Sequence, residues 1–316
     1  MNAFAPDCEA IAQAHQTIDP VFLNTPQFEL EALNAVLNTR LILKVETLNP
    51  IRSFKGRGTD YFVKQQRQAR AFVCASAGNF GQGIAYACRQ QNIPLTVFAA
   101  ETANPLKLER MRQLGADVQL AGADFDAAKD AGKAYAADHG RPYVEDGREP
   151  EVTAGAGTIG LELSQYPEPI ETLLIPVGNG ALINGISTWF KIHSPQTRVI
   201  GVVAEGAPAM DWSWQRGSLI TTETVNTIAD GIGVRIPVPQ ALELMQTTVD
   251  DILQVTDAAT LEAMQRIHQM AGVVVEPAGA VGLAAAMVYG KRFAGQLIAT
   301  PLCGSNLTIA QMEQWL

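Results

Sequence analysis

The sequence predicts an α/β fold of open, mostly parallel sheets flanked by helices. Short apolar runs rich in β-branched residues alternate with longer alanine-rich stretches along almost the whole chain. Two of the runs lead through a glycine-bearing turn directly into the next stretch. This alternation is typical of parallel sheets with helices on both faces. At 316 residues the chain is too long for one small core, so we expect two domains.

The elements follow from these runs in chain order. Seven apolar runs bounded by turn residues are predicted to be strands: LILKVE (41–46), AFVCAS (71–76), LTVFAA (95–100), DVQLA (117–121), TLLIPV (172–177), RVIGVVA (198–204) and GQLIATPLC (295–303). Five stretches between them are predicted to be helices: GQGIAYACRQQ (81–91), NPLKLERMRQLG (104–115), DAAKDAGKAYAADHG (126–140), ALINGISTWFKIH (181–193) and DAATLEAMQRIHQMAG (257–272). Gly115 is expected to end its helix before the next strand.

A polar, turn-rich passage at residues 138–158 is the best candidate for a crossing between domains. We therefore predict a small α/β domain of residues 70–148. It is inserted into a larger domain that residues 1–69 and 149–316 form together.

The composition excludes several classes of protein. A net charge of -9 argues against binding to nucleic acid or to an anionic membrane, because both need a basic face. No apolar run approaches the roughly 18 residues that span a bilayer, and the first residues lack the order of a signal peptide. We expect a cytoplasmic protein with a small-molecule substrate. The four cysteines show no C-x-x-C spacing and the four histidines are scattered, so neither a zinc site nor a disulfide framework is expected.

Two glycine-bearing turns are candidate anion sites. SAGNFGQG (76–83) and PVGNGALING (176–185) each follow a predicted strand and lead into a predicted helix. Free N–H groups and the positive end of the helix dipole then face the same point. Neither turn is a dinucleotide fingerprint or a P-loop, so a phosphate is expected but a nucleotide is not required. Tight strand-to-helix packing explains a single turn of this kind equally well.

A lysine between two arginines is the candidate reactive residue. In NPIRSFKGRGTDYF (49–62), Lys55 lies between Arg52 and Arg57. The ordinary interpretation is a solvated helix start capped by Ser53. The chemical interpretation is that neighbouring cations and partial burial disfavour the ammonium form, which makes the amine nucleophilic. Such a lysine, with a phosphate site elsewhere, suggests an aldehyde cofactor held as a Schiff base.

Five motifs in order resemble one family. SFKGRG resembles the Schiff-base lysine motif of the fold type II pyridoxal-phosphate-dependent enzymes, in the serine/threonine dehydratase (threonine ammonia-lyase) branch. SAGNFGQG looks like the substrate loop of that branch, PVGNGALING like its phosphate loop, EPAGAVGLAA (276–285) like a helix start and CGSN (303–306) like its closing turn. The resemblance covers nearly the whole chain and implies a two-domain fold of the tryptophan synthase β type.

The resemblance also implies roles for individual residues. Lys55 would hold pyridoxal 5'-phosphate and carry the α-proton of the substrate. Asn79 would contact the ring hydroxyl, and Cys303 would face the pyridine nitrogen. The phosphate would be bound by the backbone N–H groups of Gly178, Asn179, Gly180, Ala181 and Leu182. The substrate carboxylate would be bound by the amides of Ser76, Ala77, Gly78, Asn79 and Phe80.

The implied reaction is the elimination of a β-hydroxyl group. A thiol at the ring nitrogen leaves the pyridine largely unprotonated, which favours loss of the hydroxyl over transamination. The expected substrate is a small 3-hydroxy amino acid such as L-serine or L-threonine, and the products are a 2-oxo acid and ammonia. A homodimer is expected from the resemblance alone.

Three departures from the branch keep other functions open. Phe80 replaces the usual histidine, and Ala156 replaces a glutamine, which together suggest a pocket for a different substrate. Ala77 stands where racemases of the family have a serine. An amino-acid racemase, a β-replacement enzyme and a non-catalytic cofactor-binding protein remain alternatives.

A second resemblance concerns a divalent cation. Glu205, Asp211 and the carbonyl of Ala209 match the spacing of a structural cation site in related dehydratases and racemases. Oxygen ligands suit Mg²⁺ or another hard divalent cation. Two carboxylates near a turn are also common on a solvated surface. Glu276 could extend such a region or cap a helix.

Overall fold

The structure is a computed structural model that describes residues 6–66 and 68–316. Its ten strands are β1 Gln27–Glu29, β2 Arg40–Val45, β3 Phe72–Ala75, β4 Leu95–Ala99, β5 Asp117–Leu120, β6 Tyr143–Val144, β7 Thr172–Pro176, β8 Arg198–Ala204, β9 Asp251–Val255 and β10 Leu297–Leu302 within the described residues. The helices are α1 Cys8–Thr17, α2 Glu31–Leu37, α3 Lys55–Gln65, α4 Asn79–Gln90, α5 Pro105–Gln113, α6 Phe125–Asp138, α7 Pro150–Leu163, α8 Ala181–His193, α9 Ala209–Arg216, α10 Pro239–Thr248, α11 Asp257–Ala271, α12 Pro277–Val288 and α13 Ile309–Trp315. Short 3₁₀ turns lie at Pro20–Phe22, Asp230–Ile232 and Gly290–Arg292.

The strands form two sheets, and the predicted α/β class is confirmed. The larger sheet has the order β1-β2-β10-β7-β8-β9, and the smaller has the order β5-β4-β3-β6. Every pairing is parallel except that of β1 with β2. The smaller sheet draws its strands from residues 72–144 only, and the larger sheet draws them from both ends of the chain. The division into domains 70–148 and 1–69 with 149–316 stays a prediction.

Both faces of the larger sheet are buried. Leu174 on β7 packs in a cluster with residues of α11 and α12, such as Ile267 and Val281. Its neighbours Leu173 and Ile175 pack in the opposite cluster, with residues of α7, α8 and α10. Successive side chains of a strand point to opposite faces, so a strand covered on both sides must be apolar throughout. This requirement explains the unbroken apolar runs of the sequence.

Besides helices α1, α2, α9, α10 and α13, which were not predicted, the structure differs from the prediction in three strands and in the polar crossing. Strands β1, β6 and β9 were not predicted, because β1 and β6 are only three and two residues long and β9, DILQV, includes polar residues. Residues 150–158, predicted to be part of a polar crossing, belong to helix α7. Gly155 lets this helix pack closely against α3. A Cβ placed at Gly155 would lie 2.5 Å from the Cα of Gly58, so a larger residue would prevent the contact. Close contact with α3 outweighs the low helix propensity of glycine.

Within the described residues, no helix is both long enough and apolar enough to cross a membrane.

Candidate active site

Loops at the carboxyl ends of five parallel strands converge on one region. They follow β2 and β10 and also β7 in the larger sheet, and β3 and β6 in the smaller sheet. Ligands of open α/β sheets bind at this edge, where the helix N-termini also lie. Lys55 is the first residue of α3, Asn79 of α4 and Ala181 of α8. Cys303 directly follows β10.

A cavity of about 590 Å³ lies between these loops. Its volume is in the range of small-molecule sites. The structure brings together every cofactor-binding and substrate-binding residue predicted from the sequence, all of which line this cavity: Lys55, Ser76, Ala77, Gly78, Asn79, Phe80, Gly178, Asn179, Gly180, Ala181, Leu182 and Cys303.

The loop between β7 and α8 has the geometry that is typical of an anion site. Gly180 has φ +93°, a left-handed conformation that L side chains rarely adopt. The N–H groups of the first turn of α8 have no intrahelical acceptor, and they face the carboxyl edge of the sheet. A second loop closes over the first, since a Cβ at Gly147 would lie 2.2 Å from the carbonyl oxygen of Asn179. The glycines therefore allow a close approach that larger residues would prevent.

The loop after β3 offers fewer free amides than predicted. The amide of Ser76 donates to the carbonyl oxygen of Phe98 at 3.0 Å, as part of the sheet edge. The amide of Gly78 donates to the Ser76 hydroxyl at 3.2 Å. The predicted carboxylate site therefore narrows to the amides of Ala77, Asn79 and Phe80.

A buried polar cluster connects the two sheets next to Cys303. The Asn79 amide donates to Glu276 Oε1 at 2.6 Å, and the Asn306 amide donates to Asn79 Oδ1 at 2.8 Å. The backbone N–H of Asn306 donates to Glu276 Oε2 at 2.9 Å. Burial raises the pKa of Glu276, and the charge of Lys107 opposes this. Glu276 thus fixes the orientation of Asn79 at the cavity wall.

Cys303 presents a neutral thiol to the cavity. Burial raises the pKa of this thiol, and the nearby Glu276 raises it further. The Sγ atom lies 3.6 Å from the carbonyl oxygen of Ala278. Cys303 also anchors the lysine loop, because its carbonyl oxygen accepts hydrogen bonds from the Phe54 amide at 3.0 Å and the Ser53 hydroxyl at 3.1 Å.

The amine of Lys55 forms an ion pair that the sequence did not predict. Its Nζ lies 2.6 Å from Oδ2 of Asp146, and each side chain is 14% exposed. The same nitrogen lies 4.7 Å from the centre of the Phe54 ring. Asp146 follows the two-residue strand β6, which was too short to predict. The N-cap of α3 is Phe54, and not Ser53 as predicted.

The three cations of the lysine motif do not act together. Arg57 is fully buried, where its guanidinium binds Glu46 at 2.8 Å and Glu162 at 2.6 Å. Arg52 has φ +52° and lines a second cavity, away from Lys55. The prediction that both arginines disfavour the ammonium form of Lys55 is therefore wrong for Arg57, because helix periodicity turns its side chain into the core.

The outer wall of the cavity carries charges that could not be predicted from the sequence. Lys107 pairs with Asp230, Lys129 with Glu145 and Arg235 with Asp126. Together with Lys55 and Asp146, these pairs include every lysine and arginine among the described residues that line the cavity. These partners are distant in sequence, and only the tertiary fold brings them together.

The structure gives no support to two further predictions. Ala156 packs in the core beside Ile159 and does not line the cavity, so it cannot shape the substrate pocket as predicted. At the predicted cation site, both oxygens of Asp211 accept hydrogen bonds, from the amides of Gln215 at 2.8 Å and Gln254 at 2.6 Å.

The remaining ligands of that cation site are no better placed. The Ala209 carbonyl accepts from Ser213 at 2.7 Å, and Glu205 is exposed. Among the described residues, no group of three or more His, Cys, Asp or Glu side chains is arranged to hold a metal ion.

The chain is similar to known proteins over almost its whole length. A family model described as "Pyridoxal-phosphate dependent enzyme" matches residues 18–304. The chain is 34% identical to the L-threonine ammonia-lyase of Thermotoga maritima over 97% of its own length and 77% of that protein. It is 31% identical to the L-threo-3-hydroxyaspartate ammonia-lyase of a Pseudomonas species over 97% of each chain. The structure of maize serine racemase superposes with a TM-score of 0.92 at 26% identity, covering 98% of this chain and 97% of that one.

Proposed function

The chain belongs to the pyridoxal-phosphate dependent enzymes, in the branch of the threonine ammonia-lyases, and from this we propose that it removes water and ammonia from a small 3-hydroxy amino acid. The product is a 2-oxo acid. The observation that carries the proposal is the convergence of Lys55, the glycine loop and Cys303 on one cavity, in a chain with ammonia-lyase relatives.

The residues of the cavity fit pyridoxal phosphate. The group has an anionic phosphate, an aldehyde carbon and a ring nitrogen. The chain offers a glycine loop at a helix N-terminus, a primary amine and a thiol on the walls of one cavity. A Cβ on Gly178 would lie 3.1 Å from the carbonyl oxygen of Gly231, so a larger residue would crowd the loop. Each of the three parts of pyridoxal phosphate therefore has a chemically matching feature on the cavity wall.

The proposed cofactor contacts follow from this match. The N–H groups of Gly178, Asn179, Gly180, Ala181 and Leu182 bind the phosphate. Lys55 binds the aldehyde carbon through its amine, and Asn79, oriented by Glu276, contacts the ring hydroxyl through its remaining N–H. Cys303 contacts the ring nitrogen as a neutral thiol. The bound group supplies an electron-withdrawing ring that stabilises negative charge on the substrate Cα.

The chain supplies the substrate contacts and the proton transfer. The amides of Ala77, Asn79 and Phe80, at the N-terminus of α4, bind the substrate carboxylate. Lys55 removes the α-proton, since the amine that would hold the aldehyde carbon also lies beside the substrate Cα. The neutral thiol of Cys303 gives the ring no full positive charge, which favours rapid loss of the 3-hydroxyl group.

The substrate side chain is proposed to be uncharged, as in L-serine or L-threonine. A second carboxylate needs a cation, and each basic residue on the wall already has a carboxylate partner. Four basic and seven acidic residues line the cavity. An extra negative charge on the substrate therefore meets a wall with an excess of negative charge.

A second candidate is amino-acid racemisation, favoured by the similarity to maize serine racemase. Ala77 counts against it, because a methyl side chain cannot deliver a proton to the other face of the substrate. Incubation of L-serine in D₂O and chiral chromatography distinguish the two functions. A racemase yields deuterated D-serine, whereas an ammonia-lyase yields pyruvate.

Three further properties are also proposed. The chain forms a homodimer, acts in the cytoplasm and carries Mg²⁺ or another divalent cation near Glu205, Ala209 and Asp211. The first two rest on resemblance and on composition. The hydrogen bonds of Asp211 count against the third. Light scattering on the purified protein measures the subunit number, and metal analysis measures the cation content.

The test of the proposed function is the visible spectrum of the purified protein with pyridoxal phosphate. We expect an absorption band that Lys55→Ala abolishes, because no other amine lies at the same position. The band should shift on addition of L-serine or L-threonine, and a 2-oxo acid should appear. A band that no amino acid disturbs would indicate a non-catalytic binder. The absence of any band would overturn the cofactor assignment.

A further inference from the structure

We propose that Asp146 is the positioning residue of the Lys55 amine, holding that amine against one wall of the cavity whenever it is not bonded to the cofactor. The proposal rests on the proposed function. It adds a residue that the motifs did not include, since Asp146 lies outside all five of them.

The contact between the two side chains is short and sheltered. Nζ of Lys55 lies 2.6 Å from Oδ2 of Asp146, and both side chains are 14% exposed. Asp146 is the only carboxylate within 4.0 Å of this amine among the described residues. Charge-assisted hydrogen bonds of this length are the strong ones. The pair therefore determines where the amine lies.

Asp146 itself is held by its backbone. It lies between β6 and Gly147, whose φ of +83° allows the chain to turn. A Cβ on Gly147 would lie 2.2 Å from the carbonyl oxygen of Asn179. The loop of Asp146 thus touches the phosphate loop, and the carboxylate is placed between that loop and Lys55. Such a backbone contact fixes a side chain better than a free surface loop does.

The second oxygen of Asp146 also points to a functional role. Oδ1 is buried and has no hydrogen-bond partner among the described residues. Buried carboxylate oxygens that serve only stability are normally satisfied. The unpaired oxygen therefore favours a role in the chemistry of the cavity over a purely structural one.

Two opposite effects follow for the amine. The hydrogen bond to the carboxylate must break before the amine can bond to the cofactor aldehyde, which slows cofactor uptake. The same contact keeps the amine at a defined position during turnover, which speeds proton transfer. A residue that only stabilised the fold would not produce effects of opposite sign.

The test uses Asp146→Asn, which keeps the shape of the side chain and removes its charge. Cofactor-free protein is mixed with pyridoxal phosphate at neutral pH, and the visible absorbance is followed by stopped flow. We expect the variant to take up the cofactor about tenfold faster than the wild type. Steady-state kinetics should show kcat about tenfold lower with KM changed by less than about twofold. Asp146→Glu, which keeps the charge, should load at a rate close to that of the wild type.

Asp250→Asn is the matched control, because it breaks the Lys191–Asp250 ion pair outside the cavity. Its loading rate should equal that of the wild type. Loading of Asp146→Asn that is unchanged or slower overturns the proposal, and so does an unchanged kcat. If the asparagine variant does not accumulate, Asp146→Ala is judged by the same criteria. If the wild type takes up the cofactor but converts no amino acid, the proposed function fails, and the loading rates alone still test Asp146.

Discussion

At the scale of single residues, Glu162 is the centre of the best-connected buried charge cluster. It binds Arg57 at 2.6 Å and Lys44 at 2.5 Å, and all three side chains are at most 3% exposed. Burial alone would raise the pKa of Glu162, but the hydrogen bond and charge of Arg57 and the charge of Lys44 lower it to about 2. The cluster fixes the side of α3 opposite to the cavity, and so the direction in which Lys55 points.

Glu162→Gln should reduce the stability and change its dependence on pH. The folded-state pKa of about 2 lies below the ordinary value of 4.5, so this residue stabilises the fold above pH 4.5. That stabilisation is lost as the pH falls from 4.5 to about 2. Removal of one partner from a buried cluster costs about 3–5 kcal/mol near neutral pH. Urea unfolding from pH 2 to pH 7 measures both effects.

We expect a lower free energy of unfolding in Glu162→Gln than in the wild type. We also expect the variant to lose less of that free energy than the wild type does as the pH falls from 4.5 to about 2. Glu262→Gln is the control, because Glu262 pairs with Arg266 on the surface. If the free energy of unfolding falls equally steeply at acid pH in Glu162→Gln and in the wild type, the role of Glu162 is contradicted.

At the scale of elements, the apolar runs predicted seven of the ten strands of the described residues. The sequence pattern did not predict elements that depend on packing against a partner helix. The strands β7 and β8 could be predicted because double burial requires continuous apolar runs. Helix α7 could not, since its glycines are unfavourable in an isolated helix and become favourable only against α3 and α8. A Cβ on Gly157 would lie 2.9 Å from the carbonyl oxygen of Gly185, closer than real Cβ atoms come to a neighbouring atom. This pattern becomes visible only when the partner helices are known.

Gly155→Ala tests this helix contact. The added methyl group would lie 2.5 Å from the Cα of Gly58, which is backbone and cannot turn aside. We expect a loss of roughly 1–3 kcal/mol in the free energy of unfolding, although alanine is the better helix former. We also expect weaker binding of pyridoxal phosphate, because α3 carries Lys55. Gly290→Ala is the control, since its nearest neighbouring atom is 4.0 Å away. A stabilised Gly155→Ala protein would show that propensity outweighs packing here.

At the scale of the whole molecule, the sequence located the centre of the site but not its outer wall. Lys55, Asn79, Gly178 and Cys303 could be identified because each belongs to a short motif at the end of a strand. Asp146 and the charge pairs of the wall could not, because their partners come from separate elements of both sheets. We expect those pairs to determine which substrate side chain is accepted, and this is why the sequence predicted the reaction better than the substrate.

Asp126→Asn should release one cation of this wall. Asp126 is the carboxylate partner of Arg235, and both residues line the cavity. Without it, the guanidinium is free to bind a second carboxylate on the substrate, as in L-threo-3-hydroxyaspartate. The ratio of kcat/KM for this acid to kcat/KM for L-threonine should rise about tenfold, the effect of one hydrogen bond to a charged group. Coupled assays of 2-oxo acid formation with both substrates give the ratio.

Asp138→Asn provides the matched control for this change of specificity. It introduces the same substitution at the exposed end of the same helix, α6, outside the cavity. Its ratio should stay at the wild-type value. A ratio that is unchanged in Asp126→Asn would mean that the pairing of Arg235 does not exclude acidic substrates. A wild-type protein that already prefers 3-hydroxyaspartate would contradict the uncharged substrate side chain proposed above.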